Sequence, residues 1–419
     1  MCMGRNLFIN RNFGLLWTGK IISQIGDKFY AIALAWWVLQ KTNSPLVMGL
    51  LMASSVLPGL IIGPFAGAVI DRRRRKSLIV GADIARGVAV LAITCLAWWN
   101  MLGIWQVFAV AVIISLASSF FDPAVQAVIP QIVPREKLAG ANALSQTVSG
   151  ISSVMGPLLG ALSVSCLGIT TVFLANGISY LVSAVCGGMM NIPATITEET
   201  EKNRTWLDVK EGLRFLIKQT RILIIIIVIG IAHFFIGCLM VVMPFLARGL
   251  AGSGVRNLGY LETMMGLGLI LGSLYVGFRK KGSIRDFFLF LFLMVIGACY
   301  VLIGVMSFSR AVSVVPYMAA ILFVGAAIAN ASIYWQSLLQ LNTPNEIAGR
   351  IFSISSMMGN ISLPLAYGIF GILLKAYSMA RLMLFSGICL VILSMMLMFV
   401  YRKNTIRQLH KSGVSLKIH

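Results

Sequence analysis

Charged residues are scarce in this chain of 419 residues. Asp, Glu, Lys and Arg make up 11% of it, with 13 acidic residues and 3 histidines. The chain has no polar region long enough for a water-soluble catalytic domain, and no Gly-x-x-x-x-Gly-Lys-Ser/Thr loop that would bind nucleotide phosphates. These absences argue against a soluble enzyme and against a process driven by a nucleotide site of its own, so we expect no enzymatic activity and no cofactor.

Cysteine patterns typical of metal or redox sites are also missing. The seven cysteines include no Cys-x-x-Cys pair and no metal-ligand spacing. We therefore interpret them as packing residues and predict no metal site.

Apolar residues, in contrast, are abundant. They make up 58% of the chain, against about 45–50% in soluble domains, and the mean hydropathy is +0.91. Since about 20 apolar residues cross the roughly 30 Å of hydrocarbon in a bilayer, the apolar runs predict an all-α membrane protein with twelve transmembrane helices. The predicted spans are 12–40, 46–70, 77–99, 104–128, 141–165, 168–190, 222–248, 258–278, 285–307, 312–338, 347–373 and 379–401.

The positive charge indicates how these spans are oriented. The net charge is +21, but the basic residues lie in short clusters between apolar runs and form no single patch for nucleic acid. Most of the 34 Lys and Arg residues fall on the side of both termini, which the positive-inside rule places in the cytoplasm. We expect lipid contacts and no nucleic-acid partner.

A polar stretch at 191–221 divides the chain into halves of similar size. We predict a six-helix bundle at 1–190, a cytoplasmic loop with an amphipathic helix at 191–221, a second bundle at 222–401 and a basic tail at 402–419. Pro134-Arg-Glu136 with Gly140 has a counterpart in Pro344-Asn-Glu346 with Gly349, at the equivalent connection of the second half. This internal repeat predicts two pseudo-symmetric bundles.

The junction of spans two and three carries the strongest local motif, Gly67-Ala-Val-Ile-Asp71-Arg72-Arg-Arg-Arg75-Lys76. It resembles the Gly-x-x-x-Asp-Arg-x-Gly-Arg-Lys motif of the major facilitator superfamily, with Arg74 where the motif has glycine. Gly81-Ala-Asp83, Phe121-Asp-Pro123-Ala and Gly349-Arg350-Ile-Phe-Ser353 are similar to the macrolide-efflux-like branch.

The resemblance implies the major facilitator fold, in a bacterial cytoplasmic (inner) membrane. It also implies that Gly67, Asp71, Arg72 and Arg75 form a charge lock that gates the transport cycle. A plain topology signal is the alternative interpretation.

The fifth span contains Gly156-Pro157-Leu-Leu-Gly160, which is similar to a helix pattern of antiporters in this superfamily. Small residues permit close helix packing, and proline bends the helix. Packing alone would also explain the pattern.

Ionisable residues inside spans are the natural candidates for coupling, because each is costly in hydrocarbon unless it is paired or hydrated. We predict that Asp27 in span one and Asp122 in span four bind a proton or a cationic substrate. Each could instead have a structural partner. Asp83 and Arg86, three residues apart in span three, are predicted to form a structural ion pair. Glu262, near the outer end of span eight, is predicted to act either in a solvated gate or in coupling.

One absence weakens the case for proton antiport. Proton-coupled exporters of this superfamily commonly carry an arginine in span four, and span four has none here. Gln24, Tyr30, Tyr334 and Trp335 are weaker candidates for lining a substrate cavity.

Together these features predict a monomeric secondary transporter that exports an amphipathic, drug-like or macrolide-like molecule by alternating access, with protons as a possible partner. Export of an endogenous siderophore or flipping of a lysolipid are alternatives. A membrane receptor or scaffold without transport is the alternative from another class.

Overall fold

The computed structural model describes residues 9–72, 74–192, 214, 216, 219–278, 286–309, 313–343 and 347–411. Across these residues the regular structure is helical, with thirteen α-helices and one 3-10 turn at Arg135–Lys137. The helices are α1 (Arg11–Thr42), α2 (Pro45–Ser54), α3 (Leu57–Arg72), α4 (Arg75–Trp98), α5 (Ile104–Ile132), α6 (Leu138–Leu167), α7 (Ile169–Met189), α8 (Thr220–Gly249), α9 (Gly254–Phe278), α10 (Asp286–Phe308), α11 (Val315–Asn342), α12 (Ala348–Ala376) and α13 (Met379–Lys411).

These helices account for the predicted spans. Eleven stretches of the described residues are long and apolar enough to cross a membrane, and one of them combines α2 with the start of α3. The twelfth span is α1, whose 32 residues extend about 48 Å at 1.5 Å per residue but include Lys20, Asp27 and Lys28. The prediction of an all-α membrane protein with twelve spans is confirmed.

The second span differs from the continuous helix that we predicted for 46–70. It breaks at Ser55–Val56, between α2 and α3. Pro58 has no N–H to give to the carbonyl of Ser54, and the Ser54 and Ser55 hydroxyls donate to the Leu51 carbonyl at 2.8 and 3.0 Å. The Leu51 carbonyl also keeps its regular bond from the Ser55 N–H at 3.0 Å, so the helix ends where the Pro58 N–H is missing from the ladder.

Short polar turns form two of the connections in the first half. Asn43 ends α1 in the left-handed conformation (φ 48°), and its N–H donates to the Leu39 carbonyl at 3.0 Å. Ser44 then caps α2, with Pro45 at its first position. Gly168 (φ 82°) separates α6 from α7, so this hairpin needs a residue without a side chain.

The described helices group into two compact units. The first takes in α1–α7 together with Pro244–Thr263, and the second takes in the remainder of α8 and α9 with α10–α13. The domain limits inferred from the polar stretch stay predictions, because most of 191–221, including the predicted amphipathic helix, lies outside the described residues.

Each unit packs its third span against its sixth through two glycines, in the same register. In the first unit α4 meets α7. A side chain added at Gly87 would contact Leu181, and one added at Gly177 would contact Leu91. In the second unit α10 meets α13, where Gly297 faces Val391 and Gly387 faces Val301. Every one of these residues has its counterpart 210 positions away, so both helix crossings follow the internal repeat.

The tightest of these contacts yields a stability prediction. A Cβ at Gly387 would lie 2.5 Å from the Gly297 carbonyl oxygen, which is backbone and cannot rotate away. At Gly177 the nearest atoms, at 2.7 Å, belong to the flexible Leu91 side chain. We expect Gly387→Ala to lower the free energy of unfolding by about 1–3 kcal/mol and Gly177→Ala to lower it less. Melting temperatures in detergent measure the difference.

Gly368 provides the matched control, because a Cβ there meets nothing within 4 Å. Alanine is the better helix former by about 1 kcal/mol, so Gly368→Ala should keep or raise the melting temperature. Equal melting temperatures for Gly387→Ala and Gly368→Ala would contradict this account of the crossing.

Candidate functional site

A buried ion pair on α4 is the centre of the candidate site. Asp83 and Arg86 lie three residues apart, with 0% and 4% of their surfaces exposed, and Arg86 Nη2 donates to Asp83 Oδ1 at 2.5 Å. It is the one ion pair within 4.0 Å among the side chains that the structure describes. The pairing that the sequence predicted is therefore present, and it gives the arginine the partner that its burial requires.

Two aromatic rings enclose the guanidinium group of Arg86. Its Cζ lies 4.2 Å from the ring centroid of Phe121 on α5 and 4.7 Å from that of Tyr180 on α7. A cation over an aromatic face is attracted by the ring's quadrupole, and the attraction is larger where water is excluded. Arg86 thus links α4, α5 and α7 at one point.

Tyr180 extends the site to α1. Its hydroxyl donates a hydrogen bond to Asp27 Oδ1, so the ring that covers Arg86 also holds the candidate coupling carboxylate. Arg86 lies within electrostatic range of Asp27 as well. Asp27 is half-buried, whereas Tyr180 is 1% exposed.

Asp122, the second coupling candidate, completes the arrangement. It lies on α5 next to Phe121, is exposed, and interacts electrostatically with Arg86 and Lys20. The structure therefore brings both candidate carboxylates, Asp27 and Asp122, to the same arginine. We call Asp27, Asp83, Arg86, Asp122 and Tyr180 the Arg86 cluster.

Sequence reasoning did not find the central roles of Arg86 and Tyr180. Span four lacks the arginine typical of proton-coupled exporters, but Arg86 reaches Phe121 of span four from the neighbouring helix. The feature that could have indicated the role of Arg86 was its spacing from Asp83 inside an apolar helix. Nothing in the sequence indicated that Tyr180 contacts residues of α1 and α4.

The second half shows that the fold does not need these charges. The positions 210 residues after Asp83, Arg86 and Tyr180 are Leu293, Ile296 and Leu390. All three are buried, with at most 2% of their surfaces exposed, at the corresponding α10–α13 crossing. Because apolar side chains fill the same places in the repeat, packing alone does not explain the Arg86 cluster.

The antiporter-like segment of α6 packs closely against the backbone of α1. A Cβ at Gly160 would lie 3.0 Å from the Phe29 Cα, and one at Gly156 would lie 2.4 Å from the Lys28 Cβ. Pro157, between them, lies inside the helix. Glycine at these two positions permits this close approach, in which the stem of Lys28 lies directly against α6.

The predicted charge lock lies mostly outside what the structure describes. Gly67, Asp71 and Arg72 belong to α3, but their surroundings and side chains are outside the described residues. Arg75, the first residue of α4, donates from Nη1 to the Ala127 carbonyl of α5 at 2.9 Å. The lock stays a prediction.

The weaker cavity candidates have separate surroundings. Tyr30 is buried against Phe173, with ring centroids 5.3 Å apart, and Tyr334 stacks on Phe288 and Phe292 in the second unit at 5.3 and 5.9 Å. Gln24 Oε1 and the Trp335 indole nitrogen are buried without a hydrogen-bond partner among the described residues. No cavity role is assigned to these residues by their contacts.

Comparison with known proteins identifies the family. A family model described as Major Facilitator Superfamily matches residues 16–367. Macrolide efflux protein A of Streptococcus pyogenes is 23% identical over 402 residues, covering 95% of this chain and 97% of that protein. Multidrug resistance protein MdtG of Serratia proteamaculans is 25% identical over 326 residues, covering 76% and 75%.

Solved structures agree with the architecture. A bacterial homologue of the iron transporter ferroportin has a TM-score of 0.75 at 15% identity, covering 93% of this chain and 98% of its own. The nucleoside transporter NupG has a TM-score of 0.74 at 12% identity, covering 94% and 99%. At these identities the likeness shows the fold alone.

The helices and the comparisons define a multi-pass membrane transporter of small molecules. The chain belongs to the Major Facilitator Superfamily. The resemblance to its macrolide-efflux-like branch, inferred from Gly81-Ala-Asp83 and the related motifs, is confirmed by the relatives it matches.

The ion pair at the centre of the Arg86 cluster can be replaced by the apolar residues of the repeat. Asp83→Leu alone leaves Arg86 without its ion-pair partner, and Arg86→Ile alone does the same to Asp83. Each single variant should lower the free energy of unfolding by about 3–5 kcal/mol, since breaking a buried pair leaves an uncompensated charge. The double variant Asp83→Leu/Arg86→Ile, which copies Leu293 and Ile296, should recover most of that loss.

Melting temperatures of the three variants in one detergent check this expectation. Additive losses in the double variant would show that the two side chains do not act as a pair.

Proposed function

We propose that this transporter exports an amphipathic, macrolide-like compound in exchange for protons, with Asp27 as the proton-binding group. The observation that carries the proposal is the Arg86 cluster, which is present in the first half and replaced by Leu293, Ile296 and Leu390 in the second. A fold that is built from a repeat has no structural need for charges in one copy only. Ionisable groups inside spans mark ion and substrate pathways in membrane proteins.

Asp27 has the surroundings that an exchanging carboxylate needs. When it is ionised, the Tyr180 hydroxyl and the nearby Arg86 stabilise its charge. Protonation removes that charge and weakens the hold of α7 and α4 on α1. Because α1 is anchored to these helices at Asp27, protonation changes which arrangement of α1 is favoured, and this couples the proton to alternating access.

Asp83 has a different role in this proposal. It is paired with Arg86 at 2.5 Å and fully buried, so it keeps the arginine in place between Phe121 and Tyr180. Asp122 is exposed and interacts electrostatically with both Arg86 and Asp27, so we assign it the exchange of protons between Asp27 and the surroundings.

The substrate class follows from the relatives and from the composition. Two relatives are named for macrolide efflux and multidrug resistance. With 22 Met and 23 Phe in the chain, its apolar surfaces are adaptable in the way that suits bulky, weakly polar ligands. We propose that the protein works as a monomer in a bacterial cytoplasmic membrane, with both termini in the cytoplasm.

Transport by purified protein in liposomes tests the proposal. With erythromycin as the probe and an imposed pH gradient, the unaltered protein should accumulate the drug against its gradient. Asp27→Asn should express and melt normally, yet accumulate no more than protein-free liposomes. It should still carry the drug down a concentration gradient, because only the proton step is lost.

Glu136→Gln is the matched control, since Glu136 is an exposed carboxylate in the 3-10 turn outside the cluster. It should transport like the unaltered protein. Full pH-driven accumulation by Asp27→Asn would refute the role of Asp27. A protein that moves no erythromycin but does move a siderophore or lysolipid would refute the macrolide assignment.

A further inference from the structure

A second carboxylate of the first unit, Glu262 on α9, faces the charge of Lys28 on α1. Glu262 is half-buried in a membrane span, where an ionised group without a counter-ion is costly. Lys28 is the charged group that acts on it among the described residues. The two do not approach within the 4.0 Å of a salt bridge, which only Asp83 and Arg86 reach in the described part of the chain.

The position of Glu262 is fixed by its neighbours on the same helix face. A Cβ at Gly259 would lie 2.8 Å from the Pro157 carbonyl oxygen and 2.3 Å from the Ala161 Cβ. One turn further on, the Thr263 hydroxyl donates to the Val154 carbonyl at 3.3 Å. Residues three and four apart share a helix face, so Glu262 lies on the same face as Gly259 and Thr263, the two residues that contact α6.

Lys28 packs on a neighbouring face of α6. Its Cβ and Cγ would be 2.4 and 2.8 Å from a Cβ at Gly156, so the aliphatic stem of Lys28 lies directly on this glycine. The same helix, α6, therefore positions both members of the pair. This explains in physical terms why the sequence has glycines at 156 and 259.

Lys28 also interacts electrostatically with Asp27, its neighbour in sequence. One cation thus lies within range of two carboxylates on different helices. A single positive charge balances one carboxylate. When Asp27 is protonated, the charge of Lys28 therefore stabilises ionised Glu262, and when Glu262 is protonated, it stabilises ionised Asp27.

We propose that Glu262 is a second proton-exchanging carboxylate of the transport cycle and that Lys28 couples it to Asp27. The inference rests on the proposed proton exchange, and it adds a residue of α9 to a site otherwise built from α1, α4, α5 and α7. Lys28 is a positioning residue here, because it acts through the two carboxylates.

Infrared difference spectroscopy of the full chain in lipid nanodiscs, between acid and alkaline pH, tests this directly and needs no substrate. The proton is the probe, and protonated carboxyl groups absorb in a region of their own. Glu262→Gln should remove one carboxyl band that is present in the unaltered protein and in the Glu136→Gln control. Lys28→Met should shift the pH at which that band titrates, whereas Lys41→Met, an exposed lysine at the far end of α1, should leave it unchanged.

Transport by the same variants provides the second measurement. Glu262→Gln should lose most pH-driven erythromycin accumulation while keeping its melting temperature and its downhill flux, a combination that a purely structural role of Glu262 would not produce. A spectrum of Glu262→Gln identical to that of the unaltered protein would overturn the inference.

The two proposals fail in different ways. Suppose that Asp27→Asn loses pH-driven accumulation, whereas Glu262→Gln still shows every carboxyl band of the unaltered protein and still accumulates erythromycin. Proton exchange at Asp27 then stands and the inference about Glu262 falls. If the unaltered protein shows no pH-driven transport, both fall.

Discussion

The cost of placing charge in hydrocarbon is the constraint on which this molecule depends. A guanidinium group is a permanent cation, so a protein that buries one has to surround it with compensating groups. Asp83 supplies a charge, Phe121 and Tyr180 supply aromatic faces, and Asp27 is held by the same tyrosine. These contacts come from α1, α4, α5 and α7, so the electrostatic problem of one residue determines which side chains the first unit carries where these helices meet.

The internal repeat separates what the fold needs from what the function needs. Both units cross their third and sixth spans through glycines in the same register, Gly87 with Gly177 and Gly297 with Gly387. One crossing carries an ion pair and the other carries Leu293 and Ile296. Since the helices pack in the same way around either set, the charges are an addition to the architecture, and the first half is the one to which we assign coupling in our proposal.

Hydropathy predicted the number of spans and the internal repeat predicted two related bundles, because both depend on properties that are local or periodic in the chain. Helix ends were less predictable, since hydropathy marks where a chain leaves the hydrocarbon, whereas caps such as Asn43 and Gly168 mark where a helix ends. Asp27 could be singled out because a lone carboxylate in an apolar run is conspicuous. Tyr180 could not be singled out, because a tyrosine in a span is ordinary by itself. Its role depends on a hydrogen bond to Asp27, a residue 153 positions away in the sequence.

The small-residue pattern of α6 illustrates how packing and coupling combine. From sequence, Gly156-Pro157-Leu-Leu-Gly160 allowed two interpretations, close helix packing or a functional motif of antiporters. Under our proposal the two interpretations are compatible, since Gly156 permits the close approach of Lys28 on α1, and Pro157 contacts the Gly259 segment that carries Glu262. A larger residue at Gly156 would displace a charged side chain as well as a helix. The packing of α6 is therefore the physical means by which charges on α1 and α9 are brought within range of each other.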